Sequence, residues 1–101
     1  MKKMIPALLV AALAASPVLA ASKAKQEFCQ TNTDIIERLV ALRLDKVSKK
    51  KAVAELKTGA NPVPSNYGPA VDQWSEWIYS QPRKDAGQFS AKDFYEACLE
   101  K

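Results

Sequence analysis

Apolar residues recur every three or four positions in four segments of this chain, at about 23–46, 49–58, 69–80 and 90–100. A repeat of that period places the apolar side chains on one face of a helix, so each segment predicts an amphipathic helix. A strand would instead alternate apolar and polar residues, and no run longer than a few residues does so. The pattern therefore predicts an all-α fold, a small four-helix domain.

The first segment has the widest apolar arc. At 100° per residue, several apolar or small side chains fall within about 60° of Ile36, namely Cys29, Asn32, Leu39, Val40 and Val47. So wide an arc predicts that this helix is the central one and that Cys29 points into the core. Its start is open between about Lys23 and a weaker capping-box signal formed by Thr31 with Asp34.

The third segment is bounded by prolines. Pro69 is favoured in the first turn of a helix, and Pro82 ends the helix that follows. The helical projection puts five residues on one face about 120° wide, Ala70, Val71, Trp74, Trp77 and Ile78. Both tryptophans are therefore expected in the core, and Tyr79, with Tyr67 in the preceding loop, is expected to face solvent.

The last segment begins with a complete helix-start signal. Ser90 is the expected N-cap, Asp93 follows three residues later as the capping-box acid, and Phe89 is placed to pack against Phe94. Cys98 falls on the apolar stripe of this helix, as Cys29 does on the first. A terminal helix of about ten residues would fray without a further contact.

The first twenty residues have the features of a secretory signal peptide. Two lysines precede an apolar stretch, and Val18 and Ala20 fit the small-residue cleavage rule. We expect cleavage between Ala20 and Ala21, which leaves one domain at 21–101 and no stable membrane anchor. The protein is then periplasmic or secreted.

Cys29 and Cys98 are the only cysteines of the chain. Export would place them in an oxidising compartment, where such a pair forms a disulfide. The sequence thus predicts that a disulfide joins the first and last helices. Closing so long a loop stabilises a small domain by about 4 kcal/mol if loop entropy dominates.

Charge and residue types exclude several function classes. Removing Lys2 and Lys3 from the 15 basic residues leaves 13 against 11 acidic ones, so the net charge falls from +4 to +2. That excess does not indicate nucleic acid or anionic lipid as a partner. The chain has no histidine and no spare cysteine. Without the commonest general base and metal ligand, we expect no enzyme, no metal site and no cofactor.

Three features are candidate binding elements. Loop 60–69 holds three prolines and presents Tyr67, unless it is only a stiff spacer. A lysine turn, defined as Lys49, Lys50 and Lys51, could contact an anionic partner or be a solvated face. Arg43 interrupts the apolar arc of the first helix. It either reaches the helix edge and pairs with Glu96, Glu100 or the terminal carboxylate, or forms an anion site at the mouth of the bundle.

The order of Cys29, ALRLDKVSKK, WIYSQPR, then Ser90 and Phe94 before Cys98 resembles a loose class of small exported bacterial helical proteins. In that class a cysteine pair bridges the terminal helices. The resemblance covers most of the processed chain. The resemblance implies a fold and an export route, and it assigns no functional role to any residue of this chain.

The sequence thus favours a non-catalytic protein-interaction module, such as an inhibitor or immunity-type protein that blocks an envelope-acting enzyme or toxin. Its expected surface combines loop 60–69, Tyr67, Tyr79 and the lysine turn, on a monomer or small homo-oligomer. Two alternatives stay open. One is a carrier or sensor of an apolar small molecule, which needs a cavity between helices; the other is a periplasmic stress chaperone, which needs apolar surface exposed on acidification.

Overall fold

A computed structural model describes residues 22–101, and in this range it contains helices, turns and loops but no strand. The helices in chain order are α1 Lys23–Leu44, α2 Lys49–Thr58, α3 Gly68–Ser80, α4 Arg83–Ala86 and α5 Ala91–Leu99, and a 3₁₀ turn at Ser65–Tyr67 precedes α3. The all-α fold is confirmed, and α4 is a single turn added to the four predicted helices. The predicted signal peptide, 1–20, and its cleavage point lie outside the described residues.

Helix α1 is the centre of the domain, as its wide arc predicts, and it contacts each of the other four helices. Its buried residues are Cys29, Asn32, Thr33, Ile35, Ile36, Leu39 and Val40. The helix begins at Lys23 because the Ser22 hydroxyl accepts a hydrogen bond from the backbone N–H of Lys25. The alternative start at Thr31 is therefore wrong.

Helix α1 ends two residues before the predicted Lys46. Lys46 adopts a left-handed conformation with φ 65°. Its N–H donates to the carbonyl of Arg43 at 3.0 Å, and the N–H of Val47 donates to the carbonyl of Leu42 at 2.9 Å. These two bonds form a Schellman motif, which satisfies the last carbonyls of the helix. Glycine usually occupies this position, so the sequence did not indicate the end.

The disulfide predicted from the sequence joins α1 to α5. Cys29 and Cys98 are bonded, with their Cα atoms 5.8 Å apart. Cys29 lies near the beginning of α1 and Cys98 near the end of α5. Phe89, just before α5, lines one pocket with Val40 in the second half of α1, so the two helices run in opposite directions. Helix α3 runs with α1, since Trp74 lies beside Asn32 and Gln81 lies beside Arg43.

The buried face of α3 is rotated by about 60° from the predicted one, at 100° per residue. Val71, Ser75 and Ile78 are its buried residues. Trp77 then falls outside the core and is 51% exposed, so its predicted burial is wrong. Tyr79 turns inward and is partly buried, contrary to its predicted exposure. The small Ser75 is buried, and its hydroxyl donates to the carbonyl of Asp72 at 2.8 Å.

Helix α5 covers α1 without a fully buried residue of its own. Its apolar stripe is partly buried and consists of Ala91, Phe94, Tyr95, Cys98 and Leu99. The predicted start is confirmed, because the Ser90 hydroxyl accepts from the N–H of Asp93 and the rings of Phe89 and Phe94 lie 5.9 Å apart. With so little burial, α5 depends on the disulfide and on these aromatic contacts.

Loop 60–69 is packed against the helices. Val63 is 8% exposed, and its N–H donates to the carbonyl of Leu56 at 2.9 Å. The 3₁₀ turn Ser65–Tyr67 then leads directly into α3. Nowhere in 22–101 is a helix both long and apolar enough to span a membrane.

Candidate functional site

An open groove of about 470 Å³ lies between the beginning of α1 and the beginning of α3. We call it the Phe28 groove; its lining residues are Phe28, Asn32, Asn66, Tyr67, Pro69, Ala70, Gln73 and Trp74. None of them is acidic or basic, although 26% of the chain is charged. Aromatic, proline and amide groups thus form an uncharged surface on a charged protein.

Asn32 holds this groove in shape. Its Nδ2 donates to the carbonyl of Phe28 at 3.0 Å, and its Oδ1 accepts from the indole Nε1 of Trp74 at 2.9 Å. Asn32 is only 6% exposed, so leaving either its Nδ2 or its Oδ1 without a hydrogen bond would destabilise the folded protein. One buried side chain therefore fixes two walls of the groove on different helices.

The groove continues into a larger aromatic surface. Ring centroids lie 6.4 Å apart for Phe28 with Tyr67, 6.2 Å for Trp74 with Trp77 and 5.6 Å for Trp74 with Phe94. With Phe89 against Phe94, six of the eight aromatic residues lie in these contacts. We call these six residues the aromatic face.

Two members of the aromatic face are open to solvent. Phe28 is 52% exposed and Trp77 51% exposed, while the fully buried core residues are aliphatic or small. Exposed aromatic rings near a groove are enriched where proteins bind one another, because they bury much area with few rotatable bonds. The chain thus keeps two large apolar rings at its surface, Phe28 in the groove and Trp77 beside Trp74.

The structure separates the candidate residues proposed from the sequence. Tyr67 lines the Phe28 groove, near the beginning of α1. Tyr79 lies twelve residues further along, which is about 18 Å at 1.5 Å per residue. Arg43 and the lysine turn also lie towards that far end, where α1 ends and α2 begins. These residues do not form the single surface expected from the sequence.

Arg43 is held inside the protein by contacts other than the expected ion pairs. Its Nη2 donates to the carbonyl of Gln81 at 2.9 Å, and its guanidinium carbon lies 5.0 Å from the ring centroid of Tyr79. Among the described residues, the expected pairing with Glu96, Glu100 or the terminal carboxylate is not formed. These contacts join α1 to α3, whereas the Nε of Arg43 is buried and has no hydrogen-bond partner among the described residues. The anion site stays a prediction.

Tyr79 completes this cluster. Its hydroxyl donates to the carbonyl of Val47 at 2.8 Å, which fixes the chain between α1 and α2. Burial raises the pKa of the Tyr79 phenol above its usual value of 10.0, and the nearby Arg43 charge partly opposes that rise. These contacts give Tyr79 a structural role, and its part in binding stays a prediction.

The lysine turn is not a cluster of three equivalent free charges. Lys49 Nζ lies 2.6 Å from Glu76 Oε2 in α3, so its charge is paired. Lys50 and Lys51 are exposed, and no ion pair to either occurs within the described part of the chain. Lys50 and Lys51 therefore face solvent, and their contact with an anionic partner stays a prediction.

Sequence reasoning missed most of the groove. Phe28 lies at the margin of the apolar arc of α1, which does not distinguish a half-buried ring from an exposed one. Asn32 was the available signal, since an amide inside an apolar arc requires a buried hydrogen-bonding partner. Asn66 and Gln73 reach the groove only because of how α3 and the turn before it pack.

The groove can offer aromatic stacking and hydrogen bonding. The side-chain amides of Asn66 and Gln73 make no hydrogen bond to other residues within 22–101. No cluster of three or more His, Cys, Asp or Glu in that range could hold a metal ion. Comparison with protein-family models, with curated proteins and with solved structures found no match to this chain.

Proposed function

We propose that the protein is a non-catalytic interaction module that binds another protein of the cell envelope through the Phe28 groove. An inhibitor or immunity-type protein, which blocks an envelope-acting enzyme or toxin, would act in this way. The observation that carries the proposal is the uncharged, aromatic groove held in shape by Asn32.

The composition of the groove supports a protein partner. The centres of protein interfaces are depleted in charged residues and enriched in aromatic ones, while their rims are polar. Phe28, Tyr67 and Trp74 supply the apolar centre, and the amides of Asn66 and Gln73 can pair with the backbone of a bound segment. We therefore expect the partner to insert an uncharged segment that carries an apolar side chain.

The rigidity of the groove also supports binding. The Asn32 hydrogen bonds fix Trp74 and the backbone of Phe28 before any partner arrives. A surface ordered in advance loses less conformational entropy on association, and this raises affinity. The disulfide near Phe28 restrains the same region covalently. It is compatible with an oxidising compartment, and periplasmic or secreted location remains part of the proposal.

The test is affinity capture from an envelope extract at micromolar concentration with three immobilised proteins. These are the wild type, Phe28→Ala and the control Glu37→Ala, a substitution of an exposed residue of α1 outside the groove. We expect one partner to be retained by the wild type and the control and to be lost with Phe28→Ala. Capture of nothing by the wild type, or equal capture by Phe28→Ala, contradicts the proposal.

A further inference from the structure

A smaller hollow of about 170 Å³ lies among α1, α3, α4 and the residues before α5. We call it the Trp77 pocket; its lining residues are Val40, Trp77, Ile78, Gln81, Asp85, Ala86, Gln88 and Phe89. It shares no lining residue with the Phe28 groove. Helix α4, the turn that the sequence did not predict, supplies one of its walls.

The inner wall of the Trp77 pocket is apolar and buried. Val40 is 9%, Ile78 1% and Ala86 7% exposed. Trp77 is half exposed, and its indole therefore stands between the pocket and solvent. A molecule in the pocket would contact aliphatic carbons on one side and an aromatic ring on the other.

Two backbone groups at the pocket are already paired. The carbonyl of Gln81 accepts from Arg43, and the N–H of Phe89 donates to the carbonyl of Ala86 at 3.2 Å. The polar side chains of the lining belong to exposed or half-buried residues, whereas all of its buried residues are apolar. The buried wall therefore favours an apolar occupant.

We propose that the Trp77 pocket binds one small neutral apolar molecule, of the size of a single aromatic ring. Its volume of about 170 Å³ is close to the roughly 150 Å³ of an apolar protein cavity known to hold benzene. The one carboxylate of the lining, Asp85, is exposed and is preceded by the basic residues Arg83 and Lys84. These charges favour neither an acidic nor a basic ligand.

This inference does not rest on the proposed function, because the two surfaces are lined by different residues. Occupancy would restrain Trp77, which also belongs to the aromatic face through its contact with Trp74. The protein would thus carry a small-molecule site next to its interaction surface.

The experiment is a titration of the ¹⁵N-labelled protein with toluene, followed by amide chemical shifts and tryptophan fluorescence. We expect saturable shifts centred on the amides of Gln81, Ala86 and Phe89, with half-saturation in the millimolar range or below. Shifts that grow without saturating, or that centre on the Phe28 groove, would overturn the assignment.

Two variants and a control locate the site. Ala86→Leu adds three carbon atoms to the pocket wall and should weaken toluene binding at least tenfold. Trp77→Ala removes the exposed wall without disturbing the core and should weaken it several-fold, which keeps the test informative if Ala86→Leu does not fold. Lys50→Ala should leave toluene binding unchanged. Wild-type affinity in Trp77→Ala, or in a folded Ala86→Leu, would refute the proposal.

Discussion

The indole Nε1 of Trp74 donates a hydrogen bond of 2.9 Å to Oδ1 of Asn32, a residue 42 positions earlier in the chain. This bond joins α3 to α1 below the Phe28 groove. The other end of the same amide donates to the carbonyl of Phe28. A single polar residue in an otherwise apolar arc thus couples the packing of the two helices to the shape of the candidate binding surface.

Asn32→Ala should destabilise the protein by about 1–3 kcal/mol, because it leaves the Trp74 indole N–H without its partner in a mostly buried position. The matched control is Asn66→Ala, since Asn66 is exposed at the rim of the groove and should change stability by less than about 0.5 kcal/mol. Urea denaturation of the two variants measures both values. Equal stability of the two would show that the buried bond contributes nothing.

Replacing both cysteines, as Cys29→Ala with Cys98→Ala, should lower the free energy of unfolding by about 4 kcal/mol, the chain-entropy value for a loop of this length. The loss should appear first in α5, because none of its residues is fully buried. Phe94 would then leave Trp74, from whose ring it lies 5.6 Å, and tryptophan fluorescence would change. A double variant that loses less than 1 kcal/mol would refute the structural role of the disulfide.

Lys46→Gly should stabilise the protein by about 0.5–1 kcal/mol, because Lys46 has φ 65° and glycine adopts this conformation without a steric cost. The control is Ala54→Gly at an exposed position in the middle of α2, which should destabilise by about 1 kcal/mol through helix propensity alone. Thermal unfolding shows whether each substitution raises or lowers the melting temperature. A melting temperature that falls in Lys46→Gly would mean that the α1 end differs from the one described.

The wild-type protein should lose stability as the pH rises above 10, and the Tyr79→Phe variant should lose less. The folded-state pKa of Tyr79 is raised above 10.0, so its contribution is fully present below pH 10 and is lost as the pH rises through the folded value. The variant also loses the bond to Val47, at a cost of about 0.5–1.5 kcal/mol at neutral pH.

Urea denaturation between pH 8 and pH 11 tests this expectation, with Tyr67→Phe as the control that keeps the Tyr79–Val47 bond. The stability curve of Tyr79→Phe should be lower at pH 8 and flatter above pH 10 than that of the control. Parallel curves for the two variants would contradict the assignment.

The sequence was sufficient for features that depend on local signals. The structure confirms three such features: the helical period of α1, the Ser90 cap and the disulfide between the only two cysteines. The rotation of α3 was not predictable in this way. Its apolar residues cover a wide arc, and only the positions of Asn32 and Val47 on neighbouring elements decide which part faces inward.

The candidate site was less predictable than the fold for the same reason. Tyr67 was identified from its loop, but its neighbours in the groove come from α1 and α3 and meet only when the helices pack. Arg43 was recognised as unusual because it interrupts an apolar arc. Its partners, the Gln81 carbonyl and the Tyr79 ring, lie 38 and 36 residues away and left no pattern near it in the sequence.

The most direct measurement for the proposed function is site-specific photo-crosslinking in cells that naturally produce the protein. A photoreactive phenylalanine analogue replaces Phe28 in one strain and the exposed Glu37 in another. We expect a discrete covalent adduct with another envelope protein from position 28 and none from position 37. No adduct at position 28, the same adducts at both positions, or an adduct only with a second copy of this chain would contradict the account.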